Sequence, residues 1–219
     1  MSSSSSAPPG FGGPPPLDFA PRVKKQLRSR MRALLRALPA SAVATRSARI
    51  IQRLQTLDVL QSARGVALFW PMDQSGEVDL RALDGLLEQR GVARYYPFMD
   101  ATESGFTTGF RRIGLSSELA RGERRFYEPP RTAPVARAGD IDLVIVPALA
   151  VTPEGHRLGQ GKGFYDVTLP DVAPPAHAVV VAYTFQLLAE LPVEAHDRQC
   201  DCVVTDAQVF ALAASKQIQ

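Results

Sequence analysis

Apolar residues recur at three- and four-residue steps over residues 22–38, where Val23, Leu27, Met31, Leu34, Leu35 and Leu38 fall on one side of an expected amphipathic helix. Pro39 stops it, and Ser41 is placed to cap a second helix carrying Val43, Ile50, Ile51 and Leu54. The period then changes. Short apolar runs at 65–70 and 93–97 read as strands, with a helical stretch at 80–90 between them and another strand expected near 105–111. The run 142–147 is almost wholly apolar through Leu143, Val144, Ile145 and Val146, the pattern of a strand covered on both faces. Runs at 179–183 and 202–205 read the same way. Strands alternating with helices predict an α/β fold, a three-layer sandwich around a mostly parallel, Rossmann-like open sheet. Ligands of such sheets gather beyond the carboxyl ends of the strands, so the loops after Trp70, Pro97, Pro147 and Tyr183 are the expected site.

Residues 1–21 break this pattern. They are a Ser, Pro and Gly tract with too few apolar side chains to offset the entropy of ordering, so a disordered tail is expected, followed by one domain over 22–219. The tail has neither the basic start nor the apolar stretch of a signal peptide. At 219 residues, 45% hydrophobic and 21% charged, the chain suits one globular domain and fits neither fibrous nor wholly disordered classes. No apolar run approaches the roughly 20 residues of a membrane-spanning helix, so no membrane partner is expected. Cys200 and Cys202 are too few and too close for a disulfide framework, which points to a reducing, cytoplasmic setting.

The net charge of +3 is mild but unevenly placed. Between Phe19 and Leu57 there is no Asp or Glu, while Arg22, Lys24, Lys25, Arg28, Arg30, Arg32, Arg36, Arg46, Arg49 and Arg53 fall there. Such a segment attracts polyanions, and nucleic acid, nucleotide phosphates and an acidic tail all qualify, as does a plain solvated helix face.

The densest chemistry follows the strand at 142–147. Gly159, Gly161 and Gly163 alternate, so the backbone can approach a ligand and turn N–H groups toward an anion. Arg157 and Lys162 add cations, a helix starting near Gly163 would add its N-terminal amides, and Asp166 lies within one turn as a hard oxygen ligand of the type magnesium takes. The spacing matches neither G-x-x-x-x-G-K-[ST] nor G-x-G-x-x-G, since position 164 is Phe. His156, His177 and His196 are too scattered, even with Cys200 and Cys202, to give a zinc-ligand spacing.

The string R-L-G-Q-G-K-G-F-Y-D at 157–166, after a strand ending in Pro147 and a turn with Gly155, resembles the signature of the 5-formyltetrahydrofolate cyclo-ligase family. Also similar are Lys24-Lys25-Gln26-Leu27-Arg28, Glu77-Val78-Asp79, Tyr96-Pro97, Glu128-Pro129, Ala182-Tyr183, Gln186, Leu191-Pro192, and His196-Asp197 through Val203-Val204-Thr205. The resemblance therefore runs from about Val23 to Phe210.

It implies an ATP- and magnesium-dependent enzyme that closes 5-formyltetrahydrofolate to 5,10-methenyltetrahydrofolate through a phosphorylated formyl oxygen, releasing ADP and phosphate. It also implies a monomer with a small-molecule folate substrate and no nucleic-acid partner. By resemblance, Lys24, Lys25, Gln26, Leu27 and Arg28 join Arg157, Leu158, Gly159, Gln160, Gly161, Lys162, Gly163, Phe164 and Tyr165 in the ATP site. Arg28, Trp70, Glu77, Gln160, Gly161, Lys162, Gly163 and Phe164 border the folate, and Asp166 and Asp197 hold magnesium. Lys162, with Arg157, would neutralise charge on the transferred phosphoryl group. Glu77 would accept pterin N–H groups and Trp70 would stack on the ring. Two features depart from the pattern: Val167 stands where the family has Arg, and the approach to Glu77 through Pro71–Gly76 is slightly long. The residues themselves also admit a different enzyme on a related sheet, acting on a phosphate ester, or a basic nucleic-acid-binding protein without a recognised module.

Overall fold

The computed structural model describes residues 19–103, 105–122, 126–194 and 197–211. Helices α1 (Phe19–Arg36) and α2 (Ala40–Leu54) and the single turn α3 (Asp58–Ser62) lead into strand β1 (Gly65–Ala67), and α4 (Arg81–Gln89) carries the chain to β2 (Ala93–Thr102) and β3 (Gly105–Ile113). Next come β4 (Ala120–Arg121) and β5 (Tyr127–Glu128), then β6 (Leu143–Pro147) and the short pair β7 (Ala150–Val151) and β8 (Arg157–Leu158). Helix α5 (Phe164–Val172), β9 (His177–Ala182), β10 (Cys202–Thr205) and β11 (Val209–Ala211) complete the described chain.

Seven strands form one sheet in the order β11-β10-β9-β6-β1-β2-β3. The five inner strands are parallel and the two edges, β3 and β11, are antiparallel. Because the inner strands are covered on both faces, their side chains divide between two cores. Val66, Leu143, Ile145, Val179, Val181 and Val204 pack under α1, α2 and α4 with Met31, Leu35, Ile50, Leu54 and Leu87. Ala67, Val144, Val146, Val180 and Val203 pack on the other side with Leu169 of α5. Helices on both faces of a mostly parallel sheet make the α/β sandwich expected from the sequence. From β1 the crossover runs through α4 to β2 on one side, and from β6 through α5 to β9 on the other. The strand order thus reverses between β1 and β6, which opens a crevice at their carboxyl ends.

Several boundaries differ from the expectations. Helix α2 begins at Ala40 with Pro39 at its N-cap, whose carbonyl accepts the N–H groups of Ala42 and Val43. Ser41 therefore lies inside the first turn and makes no capping bond. Helix α1 starts at Phe19, inside the stretch read as tail, while residues 1–18 lie outside the described residues. Leu34 is 44% exposed, because the stripe through Leu27, Met31 and Leu35 is the one that meets the sheet. Strand β1 stops at Ala67, since β6 pairs only with Val66 and Ala67, although Leu68 still donates to the Tyr95 carbonyl. Strand β2 runs five residues past Pro97, because its outer half pairs with β3 alone as a hairpin, and so lacks the two-sided apolar signal.

Helix α4 is fastened to β2 by a buried ion pair. Arg94 is 4% exposed and Asp84 3%; Arg94 Nη1 donates to Asp84 Oδ2 at 3.0 Å and Nη2 to Glu88 at 3.0 Å, while the Tyr96 hydroxyl donates to Asp84 Oδ1. A buried pair of this kind stabilises little as a whole, but removing one partner strands the other. Asp84→Ala is expected to lower unfolding stability by about 3–5 kcal/mol in a denaturant titration.

Candidate functional site

A cavity of about 290 Å³ occupies the crevice at the carboxyl ends of β1 and β6. Phe69, Trp70, Pro147, Ala148 and Leu149 form its floor where the two strands end. One wall is α1, which contributes Lys24, Arg28 and Arg32, three cations at four-residue spacing. The loop 157–166 forms the second wall, and Met72, Glu77, Pro97, Met99 and Phe126 close the far side.

The glycines of the loop have distinct work. Gly161 sits at φ +87°, and a Cβ there would stand 3.2 Å from Arg28 Nε, so a side chain would be strained and would press on that guanidinium. Gly163, at φ +70°, is the N-cap of α5, which starts at Phe164 as the sequence led one to expect. The first N–H groups of that helix have no intrahelical acceptor. With the helix dipole they favour an anion beside Gly163. Arg28 Nε donates to the Gly159 carbonyl at 3.1 Å. Arg157, its side chain 4% exposed, donates through Nη2 to Asp166 Oδ1 at 2.6 Å and also to the Arg198 carbonyl. Lys162 Nζ lies 5.6 Å from the centre of the Phe126 ring.

Glu77 faces this loop from across the cavity. Its Oε2 accepts the Met72 N–H at 3.2 Å and the Ser75 hydroxyl at 3.1 Å, and its Oε1 accepts Gln160 Nε2 at 3.2 Å. Desolvation raises the carboxyl above its ordinary value, against the opposing pull of these hydrogen bonds and of the Lys162 charge. Gly76 lets the chain reach this position, since at φ +70° a Cβ would stand 2.0 Å from the Leu35 carbonyl oxygen of α1. The Tyr165 hydroxyl is enclosed without a hydrogen-bond partner although the residue lines the cavity, and burial pushes its pKa up. Trp70 is half-buried, edge-on to Tyr96 with ring centres 6.2 Å apart, and Arg81 lies over its ring.

Of the residues singled out in the sequence, Lys24, Arg28, Trp70, Glu77, Asp166, Asp197 and the whole stretch from Arg157 to Tyr165 line this one cavity. Lys25 and Gln26 do not: one and two residues beyond Lys24 they turn away and are exposed. Leu27 packs against the core beneath α1. Lys24 is itself engaged, donating to Asp197 Oδ2 at 2.7 Å and to Glu194. Burial alone would pull its pKa down, but the hydrogen bonds and charges of Asp197 and Glu194 outweigh it and hold the ammonium above the usual lysine range. Asp79, just before α4, accepts the Arg81 N–H at 3.0 Å, while Glu77 is turned to the cavity. His196 lies outside the described residues. Arg32, named from the sequence only as one cation of the acid-free segment, and Met72, Met99 and Phe126 are cavity residues that the sequence reading did not place in the site. Arg32 was findable as the next member of the Lys24, Arg28 stripe; the other three carry no spacing signal.

Asp166 and Asp197 suit magnesium, which takes one or two hard carboxylates together with phosphate oxygens. Among the described residues no three His, Cys, Asp or Glu side chains gather as a ligand set. Cys200 and Cys202 are buried, and burial pushes their thiols up to about 11 and about 12. No described helix is long and apolar enough to cross a membrane.

Residues 20–206 match the 5-formyltetrahydrofolate cyclo-ligase family. The chain is 30% identical over 163 residues to the 5-formyltetrahydrofolate cyclo-ligase of Escherichia coli K12, covering 72% of this chain and 86% of that one. It is 44% identical over 77 residues to the cyclo-ligase of Mycolicibacterium smegmatis, a stretch that spans 35% of this chain and 40% of that one. The NMR structure of Aquifex aeolicus 5,10-methenyltetrahydrofolate synthetase superposes with a TM-score of 0.76 at 29% identity, covering 90% of this chain and 96% of that one.

The raised carboxyl of Glu77 gives a prediction with a definite sign. Its protonated form suits the fold better than its charged form, so its contribution to stability is complete below the unfolded carboxyl pKa of about 4.3 and is lost as pH rises through the folded value. The wild-type protein is therefore expected to lose stability as pH rises above the unfolded carboxyl value, and Glu77→Gln, which removes the titrating group, is expected to show a weaker dependence of melting temperature on pH over that range when melting is followed across pH.

Proposed function

The chain belongs to the 5-formyltetrahydrofolate cyclo-ligase family, an enzyme family, and on that premise we propose that it couples ATP cleavage, with magnesium, to the closure of 5-formyltetrahydrofolate into 5,10-methenyltetrahydrofolate. The observation that carries this reading is a juxtaposition. A glycine loop with Lys162 and a half-buried, desolvated carboxylate, Glu77, face each other across one cavity. The first suits the phosphates of a nucleotide, and the second suits the paired amino and ring N–H donors of a pterin.

The chemical difficulty is the formyl oxygen, which leaves poorly as hydroxide. In the proposed sequence that oxygen attacks the γ-phosphorus and ADP departs. N10 of the folate then attacks the formyl carbon, the C–O bond breaks, phosphate leaves with the oxygen, and N10 gives up its proton. The work of this chain is positioning and charge neutralisation. Lys162 and the amides at the start of α5 face the developing phosphate charge, Arg157 ties the two ends of the loop together through Asp166, and Arg28 holds it at Gly159. Glu77 fixes the pterin edge, and Trp70 and Met99 offer apolar surface to its ring. Asp166 and Asp197 are the residues that would hold magnesium, whose contribution when bound is charge neutralisation at the phosphates. Val167, at the position of the family's Arg, is 63% exposed and stands outside the cavity lining.

Protein mixed with 5-formyltetrahydrofolate, magnesium and ATP is expected to generate the near-ultraviolet absorbance of the methenyl product, and none without ATP. Lys162→Ala should lower the rate by about 10²–10³-fold, the usual cost of removing one preorganised charge-stabilising group. Absence of product from folded wild-type protein would overturn the cyclo-ligase reading, and an undiminished Lys162→Ala enzyme would overturn the role of that side chain.

A further inference from the structure

Arg32 makes two hydrogen bonds to a single residue of the loop. Its Nε donates to Gln160 Oε1 at 2.9 Å, and its Nη2 donates to the Gln160 main-chain oxygen at 2.7 Å. A guanidinium has donors only, so the amide atom that faces it must be the oxygen. The amide nitrogen is thereby turned the other way, where it donates to Glu77 Oε1 at 3.2 Å. The reverse amide orientation would set nitrogen against nitrogen at Arg32, which has no acceptor to offer, and oxygen against the Glu77 carboxylate. The chain Arg32, Gln160, Glu77 is consistent in one direction only.

This arrangement is maintained against an electrostatic cost. Arg32 is pulled below the ordinary arginine range by burial and by the neighbouring charges of Arg28 and Arg36. Among the described residues no carboxylate forms an ion pair with it. Holding a half-buried cation on two neutral acceptors of one residue is geometrically demanding, and a lysine ammonium, a point charge without the planar fork, would not reproduce it. The Gln160 carbonyl is also drawn toward α1. In a planar trans peptide the N–H of Gly161 then points the opposite way from the guanidinium.

We propose that Arg32 is a positioning residue of the folate site: by fixing the amide of Gln160 it sets the direction in which Glu77 is held and the donor and acceptor pattern that the pterin meets. Arg32 acts through Gln160 and need not touch the reacting atoms. The inference rests on the cyclo-ligase reading for the identity of the ligand, while the orientation of Gln160 can be tested without any ligand.

Two measurements test it. In the free protein, the side-chain NH2 of Gln160, identified in a 1H–15N spectrum by its loss in Gln160→Ala, is expected to exchange slowly with water and to lose that protection in Arg32→Met. Unchanged protection in Arg32→Met overturns the inference. In the second measurement, 5-formyltetrahydrofolate is titrated against the fluorescence of Trp70, the single tryptophan of the chain, which lines the cavity. Arg32→Met and Gln160→Ala are each expected to weaken binding about tenfold, the scale of one charge-assisted hydrogen bond, and the double variant to bind about as weakly as either single one. Wild-type affinity in Arg32→Met, or losses that simply multiply in the double variant, overturns it. If Arg32→Met fails to fold, Arg32→Lys, which keeps the charge and loses the fork, is expected to show the same losses and carries the test. A wild-type protein that binds no 5-formyltetrahydrofolate would overturn the cyclo-ligase reading, leaving the amide measurement to decide on Arg32.

Discussion

A helix with cations and no carboxylate of its own must find acceptors elsewhere, and in this fold α1 finds them on the segments that enclose the cavity. Lys24 reaches Glu194 and Asp197, Arg28 reaches the Gly159 carbonyl, and Arg32 reaches Gln160. These three residues are one turn apart, beside the apolar stripe Leu27, Met31 and Leu35 that seats the helix on the sheet. Burial of that stripe, worth about 1.5–3 kcal/mol for each fully buried leucine-sized side chain, sets where the helix lies. The cations then determine which loops it holds. Had α1 carried Glu or Asp four residues from these cations, the pairs would close within the helix and the glycine loop would lose its fastening.

The loop needs that fastening because its own backbone supplies little rigidity. Gly161 and Gly163 lie in the left-handed region, where glycine gives freedom at an entropic cost. What holds the segment is a set of anchors at its ends and middle: Arg157 to Asp166 across nine residues, Arg28 to Gly159, Arg32 to Gln160, and the packing of Phe164 edge-on against Phe110 and Tyr165. An anion site made of main-chain amides works only if those amides are already in place. The basic helix and the glycine loop, separate in sequence by more than a hundred residues, are therefore one device.

Much of this device was legible in the sequence, and the limits of legibility have physical causes. The spacing of Gly159, Gly161 and Gly163 beside Arg157, Lys162 and Asp166 marked the loop, because backbone chemistry depends on residues close in the chain. The buried strand at 142–147 was visible from its two-sided apolar run, whereas the outer half of β2 was hidden because a hairpin that leaves the sheet has no such run. Ser41 was misread as a cap because an extended Pro39 supplies its carbonyl to the first turn and no side chain is needed. Phe126 and Met99 enter the cavity through tertiary packing alone, and a single sequence carries no mark of that. Lys25 and Gln26 belong to the family's motif string, yet helical geometry turns them away from the cavity that Lys24 and Arg28 face.

The same cavity holds groups that the fold alone would not favour. Glu77 carries a carboxylate where desolvation opposes its charge, the Tyr165 hydroxyl is enclosed without a partner, and Arg32 is a cation held only by neutral acceptors of one loop residue. Each is a cost to stability. They lie around one 290 Å³ cavity rather than scattered through the two cores, where the inner strands are filled with Val, Ile, Leu and Ala. Brought together in one crevice, these three groups make it responsive to a ligand. A polar molecule that donates to Glu77 would offset there part of what folding leaves unmet.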